Sequence, residues 1–328
     1  MTWQANLNPV VLRKKVGALV VDGFFNGLSR AGRLHPQANP GKHGVQVLEN
    51  IAYKPGGETA HLLDIWRPVN HQQGQLLPTV LYIHGGGFRI LSKNTHWIMA
   101  LAFARRGWQV VNINYRLSPQ HRFPAAIEDA CDALVWLKQH AAQYDIDLDH
   151  LVFSGESAGG NLVTALTLAT SWQLPQPWAQ RAFATGIVPK AVLPACAVLQ
   201  VTDADRVRRR KPKMRTFIAD RLHEVAEAYL GPKPHDDLTL ADPIHLLEST
   251  LQPDRPLPPF FAGVGTADPL LDDTRRLKRA LDRRGVECEV RYYPREMHAF
   301  HALVIRPQAR QFWQDQFAFL DRLKLNAQ

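Results

Sequence analysis

The amino-acid sequence predicts an α/β fold built on a mostly parallel sheet with helices on both faces. Apolar strand-like runs alternate with amphipathic helical runs from residue 45 onward, which is typical of strands joined by helical crossovers. Most of these strands are apolar along their whole length, as expected for strands that are covered on both faces. With 328 residues, 45% of them hydrophobic, the chain is long enough to bury a large core.

The predicted elements follow one another with few interruptions. Residues 44–55 and 60–68 are predicted to form two short strands, joined by a Pro-Gly-Gly turn that starts at Pro55. Helix 96–107 ends at a glycine and helix 124–143 opens at a proline, since these residues favour those two positions. The remaining strands are predicted at residues 77–83, 108–117, 150–155, 190–200, 256–265 and 286–294, and the remaining helices at 157–172, 216–230, 270–285 and the C-terminus.

Two segments fall outside this alternation, residues 1–44 and residues 203–230. We expect them to fold together as a cap over the carboxyl ends of the strands, where sheets of this kind bind and react. The catalytic domain then comprises residues 45–202 and 231–328. The N-terminal apolar stretch is interrupted by Asp22 and Asn26, so we expect a helix packed on the protein rather than an integral membrane segment.

Charge and cysteine content exclude several classes of protein. The net charge of +9 depends on residues 206–215, which hold seven Lys or Arg residues and without which the charge would be +2. We expect no nucleic-acid partner, because no general basic face exists, and we predict that this basic run is a solvated loop leading into a helix. A docking site for an anionic substrate or partner is the alternative. The three cysteines, Cys131, Cys196 and Cys288, are widely spaced, which argues against both a disulfide framework and a cysteine-based zinc site. They favour a reducing compartment, so we expect a cytoplasmic protein.

The stretch "LVFSGESAGGNL" at residues 151–162 predicts a nucleophile on a sharp turn between a buried strand and a helix. Ser157 stands at the turn, and its neighbours two positions away, Gly155 and Gly159, are as small as such a turn requires. The backbone amide of Ala158 lies at the start of the helix, where unpaired amides and the helix dipole favour negative charge. A phosphate-binding turn is the alternative, but neither a G-x-G-x-x-G pattern nor a P-loop lysine is present.

A second glycine-rich stretch, "HGGGF" at residues 84–88, follows the third predicted strand directly. Three consecutive glycines allow bare amides to approach a ligand closely, and loops of this type donate hydrogen bonds to an oxyanion in acyl transfer. Each such donor contributes about 3–4 kcal/mol to transition-state stabilisation. We predict a structural role for His84, because it ends a buried strand before the loop.

A serine hydroxyl needs a base, and the base needs a carboxylate that orients it. Along chains with this turn the carboxylate follows the serine and the histidine comes last. His298 follows the last predicted strand and is the first choice for the base, with His301 second. Asp268 follows its strand most closely and is the first choice for the carboxylate, whereas Asp272 and Asp273 fall in the first turn of the next helix. We expect no metal and no cofactor, since no third ligand stands near the two histidines at suitable spacing.

Five motifs in the expected order resemble those of the hormone-sensitive-lipase-like family of α/β-hydrolases, the bacterial carboxylesterases. They are "HGGGF", "YRLSPQHRFPAAIEDA", "GESAGGN", "DPLLDD" and "MHAF", and the resemblance covers about residues 45–325. It implies an α/β-hydrolase fold with a helical cap. By this resemblance Ser157 is the nucleophile, Asp268 the orienting acid and His298 the general base. The amides implied for the oxyanion hole are those of Gly86, Gly87 and Ala158.

Other positions carry over as scaffold or depart from the family pattern. The residues that the resemblance implies as support for the glycine loop are Tyr115, Arg116, Pro124 and Asp129. The usual "YRLAPE" reads "YRLSPQ" here, and Ala299 replaces the usual glycine after the histidine. Phe88 and Trp97 lie near the glycine loop in the sequence and are candidate walls of the substrate pocket. The resemblance also implies pairing of two copies through the last strand and a neighbouring helix.

The expected activity is hydrolysis of carboxylic esters, with short- to medium-chain acyl groups, because a small capped pocket suits these better than long chains. An amidase, a deacetylase or a lactonase with the same three side chains is the alternative among enzymes. A ligand receptor on this fold that lacks catalysis is the alternative outside enzymes, but such a protein is expected to lack the base, and His298 is in place.

Overall fold

A computed structural model describes residues 17, 23, 26–27, 29–212, 214–232 and 235–325. Within those residues one sheet of eight strands forms the centre of the molecule. The strands are β1 (Val45–Ala52), β2 (Leu62–Pro68), β3 (Leu77–Ile83), β4 (Gln109–Ile113), β5 (Ile146–Glu156), β6 (Ala191–Ala195), β7 (Phe260–Gly265) and β8 (Cys288–Tyr293).

Helices fill most of the connections between strands. The α-helices are α1 (Trp97–Ala104), α2 (Ala125–His140), α3 (Ala158–Ser171), α4 (Pro177–Ala184), α5 (Asp205–Arg210), α6 (Thr216–Leu230), α7 (Pro243–Glu248), α8 (Leu271–Arg283) and α9 (Pro307–Arg322). Residues 29–33 are also helical. Helix α6 has the bounds that the sequence predicted. Helices α4 and α7 were not predicted, because they have eight and six residues and are too short for a pattern to stand out.

The strand order is β1-β2-β4-β3-β5-β6-β7-β8. Strands β1, β2 and β4 pair in antiparallel fashion, and every pair from β4 to β8 is parallel. The carboxyl ends of β3, β5, β7 and β8 therefore meet at one edge of the sheet. The predicted α/β fold with a mostly parallel sheet is confirmed.

The core lies on both faces of the sheet. Every residue of β3, β4, β6 and β7 is buried, in keeping with their continuously apolar sequences. One face packs against α2, α3 and α4, and the other against α1 and α9. This leaves the edge formed by the carboxyl ends of the strands for the site.

The prediction of a solvated loop at residues 206–215 is wrong for the first half of the run, which is helical, although Arg208, Arg209 and Arg210 are exposed as predicted. Residues 205–210 form helix α5, and Arg206 is only 8% exposed because it forms an ion pair with Asp273 at 2.5 Å. Arg210 pairs with Asp272. Sequence reasoning missed these pairs because their acidic partners lie more than 60 residues further along the chain.

The N-terminal part of the predicted cap lies mostly outside the described residues. The part that is described packs beside helix α1, where Ser29 Oγ donates to the carbonyl of Thr95 at 3.2 Å. Arg33 donates to the carbonyl of Asn94 at 2.8 Å. Over the described ranges, no helix combines the length and the apolar character that crossing a bilayer requires.

Candidate active site

Ser157 occupies the sharp turn between β5 and α3. Its backbone lies at φ 55° and ψ −115°, a conformation that is costly for a residue with a side chain. A Cβ atom at Gly155 would lie 2.6 Å from the carbonyl oxygen of Gly159, and one at Gly159 would lie 2.0 Å from that of Ile83. Only glycine fits at both positions, so the sequence pattern around the serine follows from packing of the turn.

The three side chains predicted from the sequence lie in hydrogen-bond contact. His298 Nε2 is 2.9 Å from Ser157 Oγ, and His298 Nδ1 is 2.9 Å from Asp268 Oδ2. Asp268 is fully buried. The arrangement fits an imidazole that donates its Nδ1 hydrogen to Asp268 and accepts the serine hydroxyl hydrogen at Nε2.

The structure does not bring the alternative residues into this contact. His301 is buried against the rings of Phe312 and Trp313. Asp272 and Asp273 pair with arginines of α5. The residues that most closely follow their strands, Asp268 and His298, are therefore the ones that make the contacts.

The pKa values of the two neighbouring histidines are shifted in opposite directions. Burial would lower the pKa of His298, but the side chains of Asp268 and Cys196 raise it well above 6.5. Burial lowers the pKa of His301 to about 4, so this ring stays neutral at physiological pH. The buried carboxylate of Asp268 thus favours the imidazolium form of His298, which is the form that the ring takes when it accepts the proton of a serine hydroxyl.

Two contacts fix the loop that carries Asp268. Its Oδ1 accepts the amide hydrogen of Leu270 at 2.7 Å, which leaves Oδ2 for the histidine. Its backbone carbonyl accepts a hydrogen bond from Lys211 Nζ at 2.9 Å. Lys211 belongs to the basic run, so this run reaches the loop of the predicted acid.

The glycine loop faces the same space. Gly86 has φ 109°, and a Cβ atom there would lie 2.1 Å from the carbonyl oxygen of Ile90. Among the described residues, no group accepts a hydrogen bond from the amide of Gly86 or Gly87. The amide of Ala158 is the first of helix α3 and has no acceptor within the helix. Gly86 and Gly87 line the cavity beside Ser157, and Ala158 follows that serine directly.

A Cβ atom at Gly87 would lie 2.6 Å from Val225 Cγ2 of helix α6. The glycine loop is therefore in contact with the segment predicted as the second part of the cap. Val225 also lines the cavity above the serine.

A buried carboxylate behind the glycine loop was missed by sequence reasoning. Glu156 precedes the serine, and its Oε1 accepts the amide hydrogen of Gly85 at 2.6 Å and contacts His96 Nε2 at 2.6 Å. Tyr82 donates its hydroxyl to the other oxygen. Burial would raise the pKa of Glu156, but His96 and Tyr82 hold it at about 2. The motif leaves this position open, and nothing in the spacing indicates His96 as its partner.

His84 and the residues after β4 support the loop from below. His84 is buried and stacks on Tyr115 with ring centroids 4.3 Å apart, and Tyr115 donates its hydroxyl to the carbonyl of His84 at 3.0 Å. Burial lowers the pKa of His84 to about 3. Arg116 pairs with Asp129 at 2.8 Å, which holds the segment after Tyr115 on helix α2. This geometry agrees with the structural roles expected for these residues.

A cavity of about 1300 Å³ opens above Ser157 and His298. Trp97 lines it, as expected, but Phe88 does not: it is fully buried and stacks on Tyr229 with centroids 3.8 Å apart. The prediction that Phe88 forms a wall of the pocket is therefore wrong. Its backbone has a positive φ of 60°, and its side chain is buried in the core. The volume also exceeds the small pocket that was expected. Apolar lining residues include Ile90, Leu91, Ile98, Val198, Val201, Ile218, Leu222, Leu270, Met297, Leu303 and Val304.

Known proteins share the fold that carries this site. A protein-family model described as the alpha/beta hydrolase fold matches residues 80–302. An acetyl esterase of Salmonella dublin is 30% identical over 223 residues, which are 68% of this chain and 65% of that relative. The match thus spans slightly less than two thirds of the relative's length.

Solved structures extend the likeness to nearly the whole chain. An esterase of Pyrobaculum calidifontis is 25% identical, with a TM-score of 0.72 and 94% of each chain covered. A bacterial heroin esterase is 23% identical, with a TM-score of 0.73 over 93% of this chain and 91% of that one. At this identity the second likeness supports the fold alone.

Proposed function

The chain belongs to the alpha/beta hydrolase fold family, and from that premise we propose that it hydrolyses carboxylic esters through an acyl-enzyme intermediate. One observation carries the proposal. At the floor of a cavity, His298 contacts Ser157 at 2.9 Å through one ring nitrogen and Asp268 at 2.9 Å through the other. The order of roles is that of a nucleophile, a general base and a carboxylate that orients the base.

In the first half of the proposed reaction, Ser157 Oγ attacks the ester carbonyl while His298 Nε2 takes the hydroxyl proton. Asp268 holds the imidazole and stabilises its positive charge. The amides of Gly86, Gly87 and Ala158 donate to the oxyanion that develops on the carbonyl oxygen. Their lack of acceptors among the described residues supports this assignment. His298 then gives its proton to the leaving alkoxide, and the alcohol departs.

In the second half, water takes the place of the alcohol. His298 removes a proton from the water, and the resulting hydroxide attacks the acyl-serine carbonyl. The same amides stabilise the second oxyanion, and Ser157 recovers its proton from His298 as the carboxylic acid leaves. The residues present are sufficient for every step of this sequence.

We propose short- to medium-chain acyl esters as substrates. Relatives named acetyl esterases, such as that of Salmonella dublin, support a short acyl group. The mostly apolar lining of the cavity supports an uncharged substrate, and its volume gives room for a larger alcohol part.

We also propose that residues 1–44 and 203–230 act as a cap on this site. Supporting this, described residues of both segments, including Gly32, Ile218 and Leu222, line the cavity together with Ser157. The catalytic domain comprises the other residues, 45–202 and 231–328. Substitutions at Ile218 and Leu222 test this proposal. They should change the acyl-chain preference if the segment acts as a cap.

We further propose that two copies of the chain pair through β8 and its neighbouring helix. We also propose that the protein acts in the cytoplasm. Strand β8 is at the edge of the sheet, and Tyr292 on it is 44% exposed. The three cysteines are free and buried, which suits a reducing compartment. Light scattering coupled to size-exclusion chromatography tests the pairing, and a monomer mass that persists at high concentration would contradict it.

The function is tested by turnover of p-nitrophenyl esters of increasing acyl length by the wild-type chain and Ser157→Ala. Loss of the nucleophile should lower kcat by about 10⁴-fold or more, since the rest of the machinery acts through it. Ser154→Ala, a buried serine on β5, is the matched control and should keep its turnover. Equal rates for Ser157→Ala and the wild type would contradict the proposal, and faster cleavage of matched anilides than of esters would redirect it to amides.

A further inference from the structure

Cys196 lies beside the predicted base and acid without a role in the proposed reaction. It directly follows β6 and is fully buried, with φ 37°. Its Sγ, a carboxylate oxygen of Asp268 and a ring nitrogen of His298 all lie within 4.8 Å of one another. A sulfur, a nitrogen and an oxygen donor thus lie close together, which the wide spacing of the cysteines along the chain did not indicate.

The sheet places the thiol there. The amide of Cys196 donates to the carbonyl of Gly263 on β7 at 3.0 Å, and the amide of Ser157 donates to the carbonyl of Ala195 at 3.0 Å. Strand β6 is therefore tied on one side to the strand before Asp268 and on the other to the strand that ends at the serine. The thiol is held between the two strand ends by backbone contacts.

This donor set matches what thiophilic divalent cations bind. Zinc takes cysteine sulfur at about 2.3 Å and histidine nitrogen or carboxylate oxygen at about 2.0–2.2 Å, and three protein ligands with one open position are a common arrangement. Donor atoms around such an ion stand roughly 3.5 Å apart on this geometry. The observed limit of 4.8 Å is close enough for side-chain rotation to complete the set.

We propose that a thiophilic divalent cation, such as Zn²⁺ or Cd²⁺, binds Cys196, Asp268 and His298 and reversibly inhibits the enzyme. The thiol proton leaves to solvent as the sulfur becomes a thiolate ligand, and a lone pair of the imidazole is donated to the cation. If Nδ1 binds the cation, its hydrogen moves through solvent to Nε2, which then cannot accept the serine proton. If Nε2 binds the cation, Nδ1 keeps its hydrogen and the serine loses its acceptor. In both cases the imidazole no longer serves as a base. The inhibition rests on the proposed function, whereas the binding does not.

The inhibition is tested with CdCl₂ during hydrolysis of p-nitrophenyl acetate, each variant normalised to its own uninhibited rate. Cys196→Ala should raise the half-inhibitory Cd²⁺ concentration at least about tenfold, since loss of a ligand costs no less than loss of a supporting contact. Cys131→Ala removes another buried free thiol, on α2, and should leave this concentration unchanged. Equal sensitivity of the wild type and Cys196→Ala would overturn the proposal.

Binding is measured separately by the ultraviolet charge-transfer absorption of a cadmium thiolate. Ser157→Ala should keep this absorption, and Cys196→Ala and Cys196→Ser should lose it, with circular dichroism as the check on folding. Absorption without any esterase activity in the wild type would mean that the proposed function fails and the cation site stands. Esterase activity without Cd²⁺-dependent absorption would mean that the cation site fails.

Discussion

Two buried carboxylates, Glu156 and Asp273, are alike in burial and differ in what they hold. Glu156 is 4% exposed and pairs with His96 behind the glycine loop, where it also accepts the amide of Gly85. Asp273 is 1% exposed and pairs with Arg206 where α5 meets α8. The first pair holds the glycine loop, and the second holds α5 against α8.

Burial of an ion pair therefore does not itself indicate function. What matters is the group that the carboxylate orients. Glu156 orients a loop amide, whereas Asp273 orients the backbone of Leu199 and helix α5. We therefore expect the Glu156 pair to govern turnover and the Asp273 pair to govern stability.

The largest effect is expected for Glu156→Gln. The amide keeps the shape of the side chain but removes the charge that holds His96 and the Gly85 amide, so the glycine loop loses its alignment. We expect kcat to fall about 10–100-fold with little change in KM, less than the roughly 10²–10³-fold cost of deleting an oxyanion donor outright. Steady-state kinetics measures both constants.

The matched control for this change is Asp64→Asn, which breaks the buried pair between Asp64 and Lys93 on the antiparallel side of the sheet. It should destabilise the fold and leave kcat nearly unchanged. A similar loss of kcat in both variants would remove the distinction between functional and structural pairs.

The second effect is expected on stability. Arg206→Met leaves Asp273 buried without its cation, which should lower the free energy of unfolding by about 3–5 kcal/mol. Urea denaturation measures the loss. Arg209→Met, on the same helix but pairing with Asp203 at the exposed surface, should change stability little. Comparable losses in the two variants would show that the Arg206 pair does not anchor α5.

The third expectation concerns how stability depends on pH. The contributions of the two carboxylates should change in opposite directions as the pH changes. Glu156 has a pKa of about 2 in the folded protein against 4.5 ordinarily, so its contribution to stability is present above pH 4.5 and is lost as the pH falls toward 2. Burial raises the pKa of Asp273, so its contribution is greatest at low pH and is lost as the pH rises.

Denaturation at pH 3 to 7 tests this difference. The stability gap between the wild type and Glu156→Gln should narrow on acidification. The difference in stability between the wild type and Asp273→Asn should change in the opposite direction. Parallel shifts in both variants would contradict the assignment of opposite pKa directions.

The smallest effect is expected for Lys211→Met. This change removes the hydrogen bond to the carbonyl of Asp268 and leaves the carboxylate and His298 in place. A single hydrogen bond to a charged group contributes about 1.5–3 kcal/mol at most, and only part of that reaches the reaction, so kcat/KM should fall about 2–10-fold. An unchanged kcat/KM would limit the basic run to a structural role.

The sequence predicted the sheet and the three contacting side chains because each depends on a local pattern. Continuous apolar runs marked the buried strands, and Ser157 and Asp268 each follow such a run. His298 follows β8, a strand at the edge of the sheet in which polar and apolar residues are mixed. The parallel strands bring all three residues to one edge. The glycines around the serine are required by the turn itself, and that requirement is visible in the sequence.

Contacts between distant segments were not predictable in the same way. His96 reaches Glu156, Arg206 reaches Asp273, and Cys196 reaches His298 only because of strand order and helix packing. Phe88 was assigned to the pocket from its place beside the glycines, but a positive φ turns its side chain into the core. Proximity along the chain does not determine the direction of a side chain.

The contact between Gly87 and Val225 has a consequence for protein engineering. Val225 lines the cavity and also fills the space beside the glycine loop that a Cβ atom would need. Enlarging the substrate range by shortening residue 225 would therefore loosen the loop and slow the chemistry at the same time. Residues such as Leu303 and Val304, which line the cavity from a different segment, are the better positions for broadening selectivity without a loss of rate.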